Sequence, residues 1–226
     1  PKPTALNPKI ITDAPDYLII EKPAGLVVHH GEAQRQQPAL TDWLIKKYPA
    51  IKKVGENAAR PGIVHRLDKE VSGLMVIAKN QKAFLDLKSQ FQNRQTVKEY
   101  LALVYGKIAR DDGKIEFPLI RSKITGRMAA LPKGGKGRES LTEFSVLKRF
   151  VNYTYLKIAI KTGRTHQIRA HFKAYGYPIV GDNLYFNKKN KPAVVARPFL
   201  HATSLGFYDL QNNWQEFNSA LPIELN

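Results

Sequence analysis

Apolar residues in this chain occur mostly in short runs, and the spacing inside each run predicts its element. Tyr17 to Glu21 (YLIIE) reads as a strand that ends at Lys22-Pro23, where Pro23 and Gly25 force a turn before Leu26 to His29 resumes an apolar strand. Ile63-Val64 and the β-prone run Leu74 to Ala78 flank a polar turn, giving strand, loaded loop, strand. From Thr96 to Val104 the chain alternates, with Val97, Glu99, Leu101 and Leu103 on one face and Lys98, Tyr100, Ala102 and Val104 on the other. Leu141 to Leu147 and Tyr153 to Ile160 read as paired strands, and Pro178 to Tyr185 and Leu200 to Tyr208 add further strands and turns. Three stretches have helical spacing: Thr41 to Tyr48 with Thr41 as N-cap, Gln81 to Gln92 with Phe84, Leu87 and Phe91 in one stripe, and Thr165 to Tyr175 with Ile168, Phe172 and Tyr175. Strands mixed with a few helices make an α+β protein. Pro1 to Ala14, rich in turn formers, is expected as an extended arm over residues 1–15, with one folded domain over 16–226.

Charge adds a partner to this outline. The 226 residues carry 36 basic against 19 acidic side chains, a formal net charge of +17. An excess of that size points to a polyanion, since Lys and Arg that neutralise phosphates release counterions. The segment Lys123 to Arg138, rich in bases and glycine and free of acid, reads as a mobile basic loop available to such a partner. With no cysteine there is neither a disulfide framework nor a thiolate metal site. His29 and His30 point opposite ways on a strand, and His166 and His171 are five apart, not the four of a helical zinc pair, so no metal is expected. No long apolar span marks a membrane helix, and no phosphate-cradling glycine loop or internal repeat is present.

The chemistry concentrates between Arg60 and Lys79, RPGIVHRLDKEVSGLMVIAK, where Asp68 lies between Arg66 and Lys69 on a loop anchored at both ends. Composition alone favours a bland reading, an acid in a local surface ion pair. A carboxylate presented by a rigid scaffold is the alternative.

His65 to Lys79 closely resembles the HRLD-x-x-[ST]-[ST]-G signature of the RluA-type pseudouridine synthases. Glu21 to Leu26 is similar to the family's N-K-P-x-G-L segment, Lys98 to Ala102 to its K-x-Y-x-A segment, and Gly163 to Arg169 to its G-R-x-H-Q-[IL]-R segment. Gly181-Asp182 with Tyr185, and Leu200-His201-Ala202, match two further blocks in the family's order, so the resemblance spans the chain from about Tyr17 to Pro222. It implies the pseudouridine synthase fold, a mixed, mainly antiparallel sheet with flanking helices and a central cleft.

The resemblance also implies the chemistry. Asp68 becomes the catalytic carboxylate, Tyr100 the ring packed against the target uracil and assisting proton removal, and Arg169 the partner of Asp68. Arg66 is expected to occupy space near the flipped base, and Lys22, His65, Arg164 and His166 to face RNA or the active site. Uracil must leave the ribose, turn and rejoin through C5, which requires a flipped nucleotide but neither metal nor organic cofactor. Asp68 acts either by attack on C1′ or by proton abstraction at C2′. Ribosomal or transfer RNA is the partner, with the large-subunit ribosomal branch the better match; the expected protein is monomeric and cytoplasmic, without a membrane. Val71 stands where the family has Ser or Thr, leaving the loop one hydroxyl short. A catalytically silent RNA-binding assembly factor and a hydrolase pairing Asp68 with Glu70 are the competing readings.

Overall fold

The computed structural model describes residues 6–30, 37–124, 126–185 and 195–225. The chain divides into two compact units, residues 1–96 with 204–219 and residues 97–203 with 220–226. Each holds antiparallel strands and helix, so the α+β expectation is met. Residues 1–5 of the expected N-terminal arm, Thr125 of the basic loop and residues 186–194 lie outside the described residues.

In the first unit, strand β1 (Lys9–Asp13) pairs antiparallel with β2 (Tyr17–Lys22), so the end of the expected arm belongs to a sheet. Strand β2 pairs in turn with β3 (Ser72–Ala78), in register from Tyr17 opposite Ala78 to Lys22 opposite Gly73. Every residue of β3 is buried, which is why its sequence is a continuous apolar run and not an alternation. Helix α1 (Leu40–Lys47) starts one residue before the predicted cap: Asp42 accepts the Ala39 backbone N–H at 2.9 Å, and Thr41 is buried inside the first turn. Leu26 to His29 is not a strand; it makes a single parallel bridge, Val27 to Ala39, because the turn at Gly25, φ +89°, sends it away from β2. Ile63 likewise makes one bridge, to Ile77.

Helix α2 (Gln81–Gln92) is capped by Asn80, whose side chain accepts the Ala83 N–H at 2.9 Å. Its buried stripe is Ala83, Phe84, Leu87 and Gln90, with Phe91 half-buried. Gln90 is inside because its amide pairs with both backbone groups of Tyr208, at 2.8 and 2.9 Å. Tyr208 ends strand β10 (Leu200–Tyr208), whose second half pairs with β11 (Trp214–Asn218), a strand the sequence pattern did not announce.

In the second unit, β4 (Val97–Tyr105) pairs with β9 (Tyr153–Ile160), β9 with β8 (Thr142–Arg149), and β8 with β5 (Asp112–Ile115), all antiparallel. Burial alternates along β4 as predicted, with Lys98, Tyr100, Ala102 and Val104 inside. Part of the expected mobile loop is ordered: β6 (Leu119–Arg121) pairs with β7 (Met128–Ala130), and Met128 and Ala130 pack with Leu119, Ala170 and Tyr185. Helix α3 (Gln167–Ala174) presents Ile168 and Phe172 to the core. No helix among the described residues is long and apolar enough to cross a membrane.

Candidate active site

In the first unit the segment before Asp68 lies against one edge of β3. Gly62 accepts the Ala78 N–H at 2.9 Å and sits at φ +72°; a Cβ there would come within 2.5 Å of the Ala78 carbonyl oxygen, so only glycine permits the approach. After this contact the chain turns out through Val64, His65 and Arg66, and Val71 donates its N–H to the Asp68 carbonyl at 3.2 Å to close the turn. Arg66 is exposed, Asp68 half-buried and Leu67 buried.

Lys22 holds the far side of this loop. Its side chain is wholly buried, and Nζ donates to the carbonyls of Pro23 at 2.8 Å, Leu26 at 2.8 Å and Lys69 at 3.1 Å. The Gly25 N–H reaches the same Lys69 oxygen at 2.7 Å. A carbonyl one residue beyond Asp68 therefore takes an ammonium and an amide together, tying the loop to the Pro23–Leu26 turn. The cation expected to face RNA is enclosed, with its charge directed at backbone carbonyls. His65, also expected to face RNA, uses Nε2 to accept the Val76 N–H at 3.0 Å, with its ring stacked on Phe91 at 4.6 Å and 18°. Val71 is 2% exposed, so at this position the chain has a core methyl pair in place of a hydroxyl.

Nearby, His29 is buried with Nδ1 unpartnered among the described residues. Burial, reinforced by the charges of Arg60 and Arg66, pushes its pKa down to about 4, leaving it neutral at pH 7. His30 instead pairs with Asp42 at 2.9 Å. Among the described residues no three His, Cys, Asp or Glu side chains group to hold a metal.

In the second unit, Tyr100 and Lys98 share the buried face of β4, at 7% and 9% exposure. Burial, and then the charge of Lys161, lowers the Lys98 pKa to about 8. Arg169, 3% exposed on α3, makes a two-pronged ion pair with fully buried Asp182: Nε to Oδ2 at 2.7 Å and Nη2 to Oδ1 at 2.8 Å. Asp182 Oδ1 also accepts the N–H groups of Leu184 and Tyr185, at 3.1 and 3.2 Å. The Tyr185 ring lies under the Arg169 guanidinium at 5.4 Å, and its hydroxyl meets His166 Nδ1 at 3.1 Å. Arg169, Asp182, Tyr185 and His166 thus form one constellation. His166 holds its place under strain, at φ +50°, where non-glycine residues seldom sit.

Arg164 is half-buried just before α3 and donates from Nε to the Glu139 carbonyl at 3.3 Å. Gln167 fixes this turn. Its Oε1 accepts from the Thr162 hydroxyl at 2.8 Å and the Arg164 N–H at 3.1 Å, while Nε2 donates to the Leu141 carbonyl at 2.9 Å. His171 is structural: one ring nitrogen meets the Thr142 hydroxyl and the other the Phe117 carbonyl, each at 2.9 Å, and burial holds its pKa below the usual value. Asp182, Tyr185 and Gln167 were not among the residues assigned a role from sequence. The available signal was charge balance, because a buried Arg requires an acid.

The architecture is that of a pseudouridylate synthase. The solved structure titled Human RNA Pseudouridylate Synthase Domain Containing 1 aligns at a TM-score of 0.77 and 26% identity, covering 99% of this chain and 88% of that one. Human RNA Pseudouridylate Synthase Domain Containing 4 aligns at 0.75 and 24% identity over 96% and 90%, a likeness of fold. The chain belongs to the RNA pseudouridylate synthase family, whose model matches residues 16–174. An uncharacterized RNA pseudouridine synthase of Aquifex aeolicus is 40% identical over 98% of this chain and 72% of its own length. Proteins named ribosomal large subunit pseudouridine synthase D from Buchnera aphidicola and Nitrosomonas europaea are 37% and 40% identical, covering 96% and 89% of this chain and 69% and 58% of their own lengths. This chain is accordingly an RNA pseudouridine synthase, an isomerase acting on RNA.

Proposed function

We propose that the chain isomerises specific uridines in large-subunit ribosomal RNA, with Asp68 as the catalytic carboxylate. The observation that carries the assignment of Asp68 is the double anchorage of Lys69. A buried ammonium and a backbone amide converge on the carbonyl next to Asp68, which is the support a reacting group needs if it is to hold its geometry. Two of the compared relatives, at 37% and 40% identity, carry large-subunit ribosomal names, which supports that RNA over transfer RNA.

In this reading the target uridine leaves its stack at a cost of about a few kcal/mol, offset by phosphate contacts from the basic surface. Arg66, exposed at the head of the loop, enters the space the base vacates, and Arg164 and His166 contact the RNA near α3. Asp68 acts at the sugar to release uracil. The Tyr100 ring packs on the free base, and its hydroxyl assists removal of the C5 proton after the new C–C bond forms. By the family resemblance Arg169 pairs with the Asp68 carboxylate and orients it, and Asp182 holds that guanidinium in one orientation. The protein acts as a monomer in the cytoplasm, where ribosomal RNA is assembled.

The test is tritium release from RNA labelled at uracil C5, with large-subunit ribosomal and transfer RNA transcripts run in parallel. Wild type is expected to release tritium from the ribosomal RNA, and Asp68→Asn to bind that RNA without releasing any. Release by the Asn variant at the wild-type rate would remove Asp68 from the chemistry, and release from transfer RNA alone would overturn the substrate.

A further inference from the structure

We propose that His65 is a positioning residue for the reaction: its imidazole stands in for backbone at the edge of β3 and thereby fixes the start of the loop that carries Asp68. The proposal rests on the reading of Asp68 as the catalytic carboxylate.

The two edges of β3 are satisfied in different ways. Strand β2 occupies one edge along its whole length. On the other edge, over the last three residues of β3, the amides of Ala78 and Val76 point the same way, because strand hydrogen-bonding groups alternate with a period of two residues. Gly62 meets the first of these amides with its carbonyl at 2.9 Å, and Ile63 bridges Ile77. A continuing strand would bring another backbone carbonyl to the Val76 amide. At Val76 the acceptor is a side chain instead: His65 Nε2 takes the hydrogen at 3.0 Å. Val76 is fully buried, and a buried strand amide needs an acceptor. The side chain therefore replaces a peptide group and releases the backbone to turn outward.

Two further contacts make this a close tether. Phe91 of α2 stacks on the imidazole at 4.6 Å and 18°, which sets the plane of the ring. An accepting Nε2 carries no proton, so the ring is the neutral Nδ1–H tautomer. The far side of the loop is fixed at the Lys69 carbonyl by Lys22 and Gly25, at 3.1 and 2.7 Å. Asp68 is thus bracketed between an imidazole anchor three residues before it and a carbonyl anchor one residue after it. Removing the first anchor lets the carboxylate swing about the second, and a displacement of about 1 Å costs on the order of 100-fold in rate.

The distinguishing experiment compares His65→Leu with His65→Gln. The Gln amide oxygen can accept the Val76 hydrogen, whereas Leu fills space without an acceptor. Three quantities are read: the single-turnover rate of tritium release, the Kd for the same RNA, and hydrogen exchange of the Val76 amide. For the Leu variant the rate is expected to fall on the order of 100-fold with Kd unchanged, and the Val76 amide to exchange faster while the amides of β2 keep their protection. The Gln variant should recover most of the rate and of the Val76 protection. An unchanged rate in the Leu variant, or a Gln variant no better than Leu, would overturn the proposal. A raised Kd with an intact rate would make His65 an RNA contact, and loss of protection throughout the unit would make it a general stabiliser; either result also overturns it. If wild type releases no tritium, or Asp68→Asn is fully active, the catalytic reading fails separately, and Val76 exchange still decides whether the tether exists.

Discussion

Lys22 illustrates how one side chain organises a loop. Burying an ammonium is costly, and the cost is offset here by three carbonyl acceptors, one of them on the residue after Asp68. Lys22→Met keeps the volume and strands those oxygens without their shared donor, so it should lower the unfolding free energy by about 2 to 4 kcal/mol. Urea unfolding checks this as a lower midpoint at unchanged slope. His29 gives a residue-scale test in pH. Its native pKa lies near 4, against about 6.5 in the unfolded chain, so the unfolded state binds the proton first as pH falls. The associated stability is present above pH 6.5 and is lost progressively down to about pH 4, with a full span of about 3 kcal/mol. In His29→Leu that component of the acid sensitivity should vanish, which urea unfolding across that pH window would show.

At the scale of elements, strands were legible where burial leaves a pattern, one-sided as in β4 or complete as in β3. Strand β4 alternates because one of its faces is buried, and that alternation alone is enough to put Tyr100 and Lys98 on the same side. Elements set by tertiary contact were not legible. Strands β5, β7 and β11 are short or polar, and they exist because a neighbouring strand offers hydrogen bonds. Helix α3 was foreseen from its spacing, but the acid that matches Arg169 comes from thirteen residues on, in the turn after Gly181. Arg169→Leu leaves Asp182 buried and uncompensated, and should cost about 3 to 5 kcal/mol in stability. Adding Asp182→Leu to the same chain should recover part of that loss, and thermal unfolding of the two single variants and the double variant closes the cycle. A double variant as unstable as the sum of the singles would mean the two groups do not act as a pair.

For the whole molecule, the relevant quantity is charge. The +17 balance is spread over a chain in which Lys22, Lys98 and Arg169 are buried, so RNA phosphates must be met by the exposed remainder. Binding should therefore be strongly salt-dependent. With about six phosphate contacts, affinity should drop on the order of 10³-fold between about 50 and 200 mM salt, measured by filter binding or anisotropy. A slope near zero would argue that base contacts and shape dominate over phosphate contacts.

The sequence by itself determined the α+β class, the strands and helices with clear periodicity, the positive surface and, through six ordered motifs, the family and its reactive loop. Those are local or additive properties: periodicity follows from the geometry of a strand or helix, and net charge from composition. Tertiary structure alone decided which motif residues face solvent and which serve the backbone. Nothing in a single chain of letters distinguishes a lysine aimed at phosphate from one enclosed by the carbonyls of Pro23, Leu26 and Lys69, or a histidine aimed at RNA from one completing the edge of a strand. Nor could it say that Asp182 would meet Arg169, because the pairing depends on where the chain returns after α3. Hydrogen-bond partners far apart along the chain are set by packing, and packing is settled only when the chain folds.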